Sequence, residues 1–432
     1  MRITKNTFLL NRLILFKQCT LLECVVIILY CVRMFAAAWL AFDYPDHPVF
    51  QFVVSWLGKF AIVFAVIYLL GEQKHIKVSN VRLCILPLIY VALIVFRSED
   101  LSYFTSNAVI ILSIIIFLFL DDRIKEKIVV LFYALVLISI FISIFAYIMV
   151  LLNLASNIVS YYGANTSNYY YQFGPLAILN SEGLYRMCGP FNEGGNLGTT
   201  CAFLYAIFDK KNTIQEKVLL IVGITLSFSM AGWILLILYW TCDLITKKKF
   251  KGIFLLALIL VAFLLLPYID FGNEQINAFA QRFAVSSEGL KGDNRTWYGF
   301  DEQYDSIVNS PQKWWGAGTG YERADSSTYK SYIIMFGFLG TVLLAIPWVF
   351  ACMKRSKKNI QCFLFVFIFF VSLYQRPAPL VSLFGYMIMF GGLEYIEDRY
   401  FEWIQYDKDL YMNTVRKRGR MVGKSNSSDS WI

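Results

Sequence analysis

Charge is what this chain has least of. Only 16% of its 432 residues are Asp, Glu, Lys or Arg, 58% are hydrophobic, and the mean hydropathy is +0.57. That ratio excludes a soluble globular protein and places the chain among polytopic membrane proteins. No CxxC pair occurs among the nine cysteines, which removes both a zinc spacing and a disulfide framework. Histidine is reduced to two residues, His47 and His75. No internal repeat stands out. The start, MRITKNTFLLNRLILFKQ, is basic, but the apolar run behind it lacks a small-residue cleavage site, so it reads as an uncleaved first span.

What is abundant is apolar sequence of membrane length. About twelve candidate spans follow one another, at 21–42, 52–71, 82–97, 106–120, 128–152, 192–208, 216–229, 232–246, 252–268, 331–353, 359–375 and 380–396. Within 216–246, Ser227, Ser229 and Gly232 allow either a tight turn between two helices or a break in one long helix. The expected fold class is therefore an all-α polytopic membrane protein with both termini on the cytoplasmic side.

Basic residues set that orientation, since Lys and Arg accumulate in short cytoplasmic loops. With the N-terminus inside, the inner loops hold Lys74, Lys77 and Arg82, then Arg123, Lys125 and Lys127, then Lys210 and Lys211, then Lys247 to Lys249 and Lys251, then Lys354, Arg355, Lys357 and Lys358. The outer loops are nearly bare of them. Residues 43–51 have none, 153–190 only Arg186, and 376–379 only Arg376. The net charge of +9 is thereby explained as a topology signal, with no need for nucleic acid. On this reading Cys188 is the one cysteine in an outer loop.

Residues 1–396 form one helical membrane domain carrying two long outer insertions, 153–190 and 269–330. Residues 397–432 are a cytoplasmic tail, interfacial over YFEWIQYDKDLYM and basic over VRKRGRMVGK. Lipid cannot hold unpaired backbone, so both insertions must lie outside the bilayer. The first has six tyrosines from Tyr161 to Tyr185 among Asn, Ser and Gly. That composition suits a sugar-stacking platform and equally an aromatic interface belt.

Two stretches carry candidate chemistry. In RMCGPFNEGGN, Arg186 precedes a glycine-rich turn, where Gly194 and Gly195 let backbone approach a ligand just before a helix start, a place that favours anions. Glu193 there is either a first-turn acid held by the helix dipole or a base for a sugar hydroxyl. In the second insertion Arg282, Arg295 and Arg323 offer planar donor forks for pyrophosphate or an acidic sugar. A helix lying on the bilayer surface is predicted from Trp297 to Val308, with Trp297, Tyr304 and Ile307 at roughly helical intervals. WWGAGTGY, ending at Tyr321, offers rings and flexible backbone but lacks the lysine and threonine or serine of a nucleotide-binding loop. Within the spans, Arg33 is the ionisable residue nearest a span centre, suited to pairing inside the bundle or to meeting a lipid phosphate.

RMCGPFNEGGNLGT, ITLSFSMAGWILLIL, NRTWYGFDEQYDSIVNSPQKWWGAGTGYE and STYKSYIIMFGFLG, in that order, resemble the motif series of the bacterial lipid-linked polysaccharide polymerases and ligases, the Wzy and WaaL superfamily. The resemblance covers most of residues 180–345. Met230 stands where the family has an arginine, Gly194 where it has a proline, and the ligases' loop histidine has no counterpart, which favours the polymerase. The resemblance implies a GT-C-like glycosyltransferase in the bacterial inner membrane. It would join undecaprenyl-pyrophosphate-linked repeat units on the periplasmic face, beside a Wzx-type flippase and a Wzz-type chain-length regulator, without metal or other cofactor. Arg186 and Arg295 would hold the leaving pyrophosphate and Glu193 would act as base. Arg282, Arg323, Asn192, Trp297, Tyr304 and Tyr321 would bind substrate. A ligase of the same superfamily and a lipid-linked oligosaccharide flippase are the competing expectations.

Overall fold

The computed structural model describes residues 19–39, 48–73, 75–97, 101–154, 160–162, 169–181, 184–286, 289–290, 299–319, 328–356 and 359–397. It is mostly helical, with a helix at each predicted span. In chain order these are α1 (Leu21–Trp39), α2 (Pro48–Gly71), α3 (Val78–Leu83), α4 (Ile85–Arg97), α5 (Leu101–Phe119) and α6 (Asp122–Leu151), then α7 (Gly194–Phe208), α8 (Ile214–Leu226), α9 (Met230–Thr246) and α10 (Phe250–Leu265). Two short helices of the second insertion follow, α11 (Glu274–Gln281) and α12 (Phe300–Val308), then α13 (Tyr329–Ser356), α14 (Ile360–Gln375) and α15 (Leu383–Tyr386), the last continuing as a π turn over Met387–Gly391. Among the described residues four stretches, Val78–Arg97, Asp122–Leu151, Lys251–Tyr268 and Tyr329–Lys354, are long and apolar enough to cross a membrane.

The all-α expectation needs correcting. The first insertion folds as a four-stranded antiparallel sheet, β1 (Ser160–Tyr162), β2 (Tyr169–Phe173), β3 (Leu176–Ser181) and β4 (Leu184–Gly189), and the second adds a small hairpin, β5 (Val285–Ser286) with β6 (Gly289–Leu290). Tyrosine and branched aliphatic residues, interrupted at Gly174-Pro175, are strand and turn formers. In register, Tyr171, Ile178 and Met187 form one row and Tyr170, Leu179 and Arg186 the next. The first row joins the main core beside α6, where the Tyr147 hydroxyl donates to the Tyr185 carbonyl at 3.1 Å. The second row looks toward the start of α7.

The 216–246 question is settled as a turn between two helices. Thr213 caps α8 with a reciprocal Glu216 bond, and Ser229 caps α9 by accepting from the Gly232 amide at 3.1 Å. Between them Phe228 adopts a left-handed conformation, φ 47°. Both helices flank α7: Gly223 of α8 faces Cys201, while Gly232 of α9 faces Gly198 and Tyr239 stands edge-on to Tyr205. At the far end of α7, Asp209 pairs with Lys217 at 2.5 Å and accepts from the Tyr239 hydroxyl at 3.1 Å. There too, Gln361 at the start of α14 donates to the carbonyls of Ala206 and Ile207, at 2.9 and 3.0 Å. The lysine-bearing loops thus gather at one end of these helices, and the sheet, the Ser227–Ser229 turn and the end of α14 at the other.

The second insertion also departs from expectation. Its surface helix starts at Phe300, after Gly299 in a left-handed conformation, and buries Phe300 and Ile307; Trp297 lies outside the described residues. WWGAGTGY is not a free stacking turn. Helix α13 breaks at Gly337 (φ 69°), and the carbonyls released by the break are taken up by the loop: Ala317 N–H donates to Ile334 at 2.6 Å and Gly318 N–H to Met335 at 3.2 Å. Arg97 clamps the same turn, donating Nη2 to the Gly316 carbonyl at 2.5 Å. Arg33, in turn, lies against Gly58 of α2.

A methyl at Gly337 would strain a left-handed backbone and strike the main chain of Trp314. Gly337→Ala should therefore destabilise the protein by roughly 1–3 kcal/mol. Gly71→Ala, with open space around its Cβ, should be near neutral. Thermal unfolding of both variants in detergent, compared with the parent, checks this.

Candidate active site

The turn from β4 into α7 organises the site. Gly189 takes φ 59° and Pro190 follows, turning the chain so that Glu193 becomes the N-cap of α7 with extended backbone, φ −149° and ψ 151°. The Glu193 side chain makes no capping bond. It pairs instead with Arg376, whose Nη2 lies 2.7 Å from Oε2. The other fork of that guanidinium donates to Oδ1 of Asn196. The Asn196 amide in turn donates Nδ2 to Oδ1 of Asn192 at 2.6 Å, and the Asn192 carbonyl accepts from the Tyr170 hydroxyl at 3.1 Å.

Two further arginines bond the Ser227–Phe228 turn that abuts α7. Arg186, on β4, donates Nε to the Ser227 carbonyl at 3.2 Å, and its terminal nitrogens make no hydrogen bond among the described residues. Arg282, just past α11, makes a longer contact, Nη1 to the Phe228 carbonyl at 3.5 Å. Arg376 thus pairs with the carboxylate at the first turn of α7, and Arg186 and Arg282 bond the adjoining Ser227–Phe228 turn, at the helix end where the dipole already favours an anion.

Gly194 and Gly195 were expected to admit a ligand's approach; their close neighbours are the protein's own. A Cβ on Gly194 would run into the Ser227 carbonyl, and one on Gly195 would lie 2.5 Å from Arg376 Nη2. The glycines let the Ser227 turn and the Arg376 guanidinium seat directly on α7.

Of the residues picked out from sequence, Arg186, Glu193, Asn192 and Arg282 come together here. Asn192 serves as a brace between Tyr170 and Asn196. Tyr304 belongs to another cluster: Lys330 Nζ sits 5.0 Å from its ring centroid and pairs with Asp301 at 2.6 Å. Arg295, Arg323, Trp297 and Tyr321 lie outside the described residues. Sequence reasoning missed Arg376, Asn196 and Tyr170. For Arg376 a signal existed, since it is the lone cation of its short outer loop, just as Arg186 is of its own.

Burial pushes the Tyr170 hydroxyl well above its ordinary range, helped by Cys188 and Glu193 and opposed by Arg186. It remains a neutral donor. Burial likewise pushes the Cys188 thiol up to about 12, with Arg186 pulling down and Glu193 adding to the rise. Among the described residues no group of three or more His, Cys, Asp or Glu side chains could hold a metal ion. No family model, curated protein or solved structure matches this chain.

Cys188 has 0% exposure, and a thiol with so high a pKa is protonated at neutral pH. A membrane-impermeant maleimide applied to native membranes at neutral pH should leave the Cys188 peptide unlabelled, as read by mass spectrometry, and label it fully after denaturation. Rapid native labelling would show that the sheet does not cover this position.

Proposed function

We propose that the chain is a membrane glycosyltransferase of the polysaccharide-polymerase kind. In this reading it joins repeat units carried on undecaprenyl pyrophosphate, at the periplasmic face of a bacterial inner membrane. The observation that carries it is the convergence of Arg186, Arg282, Arg376 and Glu193 on the first turn of α7, at the helix end remote from the lysine-bearing loops. If basic loops face the cytoplasm, the arginine cluster faces outward. A membrane-embedded frame of about twelve helices, GT-C-like with two periplasmic insertions, belongs to the same reading.

The chemistry follows from charge. A hydroxyl of the incoming unit attacks C1 of the polymer's first sugar, the C1–O bond to pyrophosphate breaks, and the electron pair leaves with the lipid pyrophosphate. Glu193 takes the hydroxyl proton. Arginine forks neutralise the leaving group as its charge develops, which is the task a divalent cation performs elsewhere, and they need no reorganisation to do so. In this reading Arg186 takes that role, its terminal nitrogens making no hydrogen bond among the described residues, and Arg282 bonds the same turn. Arg295 is assigned the second phosphate contact, and Arg323, Trp297, Tyr304 and Tyr321 contacts to sugar or carrier. A Wzx-type flippase and a Wzz-type chain-length regulator would be its working partners.

Deleting the gene in its native host and analysing surface glycan together with the lipid-carrier pool tests this. A polymerase leaves acceptors capped by single repeat units with long chains gone. Finished chains stranded on the carrier would instead mean a ligase, and repeat units trapped on the cytoplasmic face a flippase. Restored at normal membrane levels, Arg186→Ala and Glu193→Gln should each cut polymerisation by about 10²-fold or more. Wild-type chain lengths from both would sink the assignment.

A further inference from the structure

We infer that Arg376 is a positioning residue whose guanidinium holds the Glu193 carboxylate off its own helix and presents it to the acceptor hydroxyl; this rests on the glycosyl-transfer reading above. The argument begins in the sequence, where Pro377 follows Arg376. Proline disfavours helical backbone in the residue before it. Arg376 accordingly leaves the α14 helix with φ −141° and ψ 84°, while its amide still closes the last turn on the Ser372 carbonyl at 2.9 Å. From that hinge its side chain crosses to the first turn of α7.

There it meets two acceptors at once, Glu193 Oε2 at 2.7 Å and Asn196 Oδ1. The bond from Asn196 Nδ2 to Asn192 fixes which way the Asn196 oxygen points, so one of the guanidinium's two acceptors is itself anchored. Gly195 permits the fit, since any Cβ there would intrude on Nη2. A carboxylate at an N-cap position ordinarily turns back onto the free amides of its helix. Glu193 does not; its carboxylate pairs with Arg376.

The Arg376 side chain is 14% exposed and that of Glu193 37%, so the anchor is sunk in protein while the carboxylate is partly open to solvent. A role as mere glue between α7 and α14 is poorly suited to the pair. These two helices are already joined by Phe203 against Phe369, 5.5 Å between centroids, and by Gln361 on the α7 carbonyls.

The test uses the full-length protein in proteoliposomes, with the host's own lipid-linked repeat unit, purified from the deletion strain, as substrate. Arg376→Ala should lower kcat by about 10²-fold, the cost of misplacing a reacting group by ~1 Å, and Arg376→Lys should recover part of it. KM should stay within about threefold of the parent's, as expected when ground-state binding is untouched. Gly195→Ala keeps every charge yet sets a Cβ 2.5 Å from Arg376 Nη2 and 3.3 Å from Glu193 Oε2, prising the pair apart, and should lose kcat in the same way. Because it favours the helix, it also serves if Arg376→Ala fails to accumulate. Adding Arg376→Ala to Glu193→Gln should cost nothing further. The inference is overturned if Arg376→Ala and Gly195→Ala keep the parent's kcat while Glu193→Gln is inactive, or if Arg376→Ala raises KM alone; either leaves the glycosyltransferase reading standing. An active Glu193→Gln would overturn that reading's assignment of the base, and the inference with it.

Discussion

The close seat of α7 against the Ser227–Ser229 turn is the contact on which the rest of the site depends. Gly198 meets Ser229, Gly232 lies so near that a Cβ would sit 2.8 Å from the Gly198 carbonyl group, and Gly194 abuts the Ser227 carbonyl. Small residues allow helices to approach closely inside a membrane, where apolar burial gives no preference for protein over lipid. The approach brings the carbonyls of Ser227, which is buried, and of Phe228 alongside the first turn of α7. Arg186 and Arg282 are drawn to those carbonyls, and a guanidinium pair is thereby assembled from a strand and a loop helix nearly a hundred residues apart.

A second constraint is backbone satisfaction. Non-helical backbone at membrane depth persists only where protein supplies its partners. The break in α13 at Gly337 obeys this, with the Gly316–Gly318 loop filling the gap and Arg97 holding the loop in place. The tryptophan-glycine stretch is therefore explained first by helix repair. Its rings Trp314 and Trp315 are exposed, Trp314 packing edge-on to Phe338.

Legibility in the sequence was uneven, for identifiable reasons. Helices were readable because membrane-length apolar runs leave few other choices, and Arg186 and Glu193 stood out because charge is rare around them. The sheet was hidden: in a chain so rich in aromatic and aliphatic residues, two-residue alternation does not rise above the background, and only Gly174-Pro175 marked its turn. Tyr170 was visible as one of six tyrosines, but the register that sets it in a row with Leu179 and Arg186 was not. Arg376 was seen as an exception to the charge rule and left unused, because nothing local connects position 376 with position 193.

By itself, then, the sequence determined the long apolar helices and their places, the charge asymmetry between loops and the charged glycine turn at Arg186–Glu193, since each is a property of composition or of near neighbours along the chain. Tertiary structure alone decided that Glu193 is held by Arg376 and Asn196, that Arg186 and Arg282 share one turn, and that Tyr304 stands in a different cluster. Those are contacts between residues far apart in the chain, and their geometry depends on which helices approach closely enough for a guanidinium to span the gap.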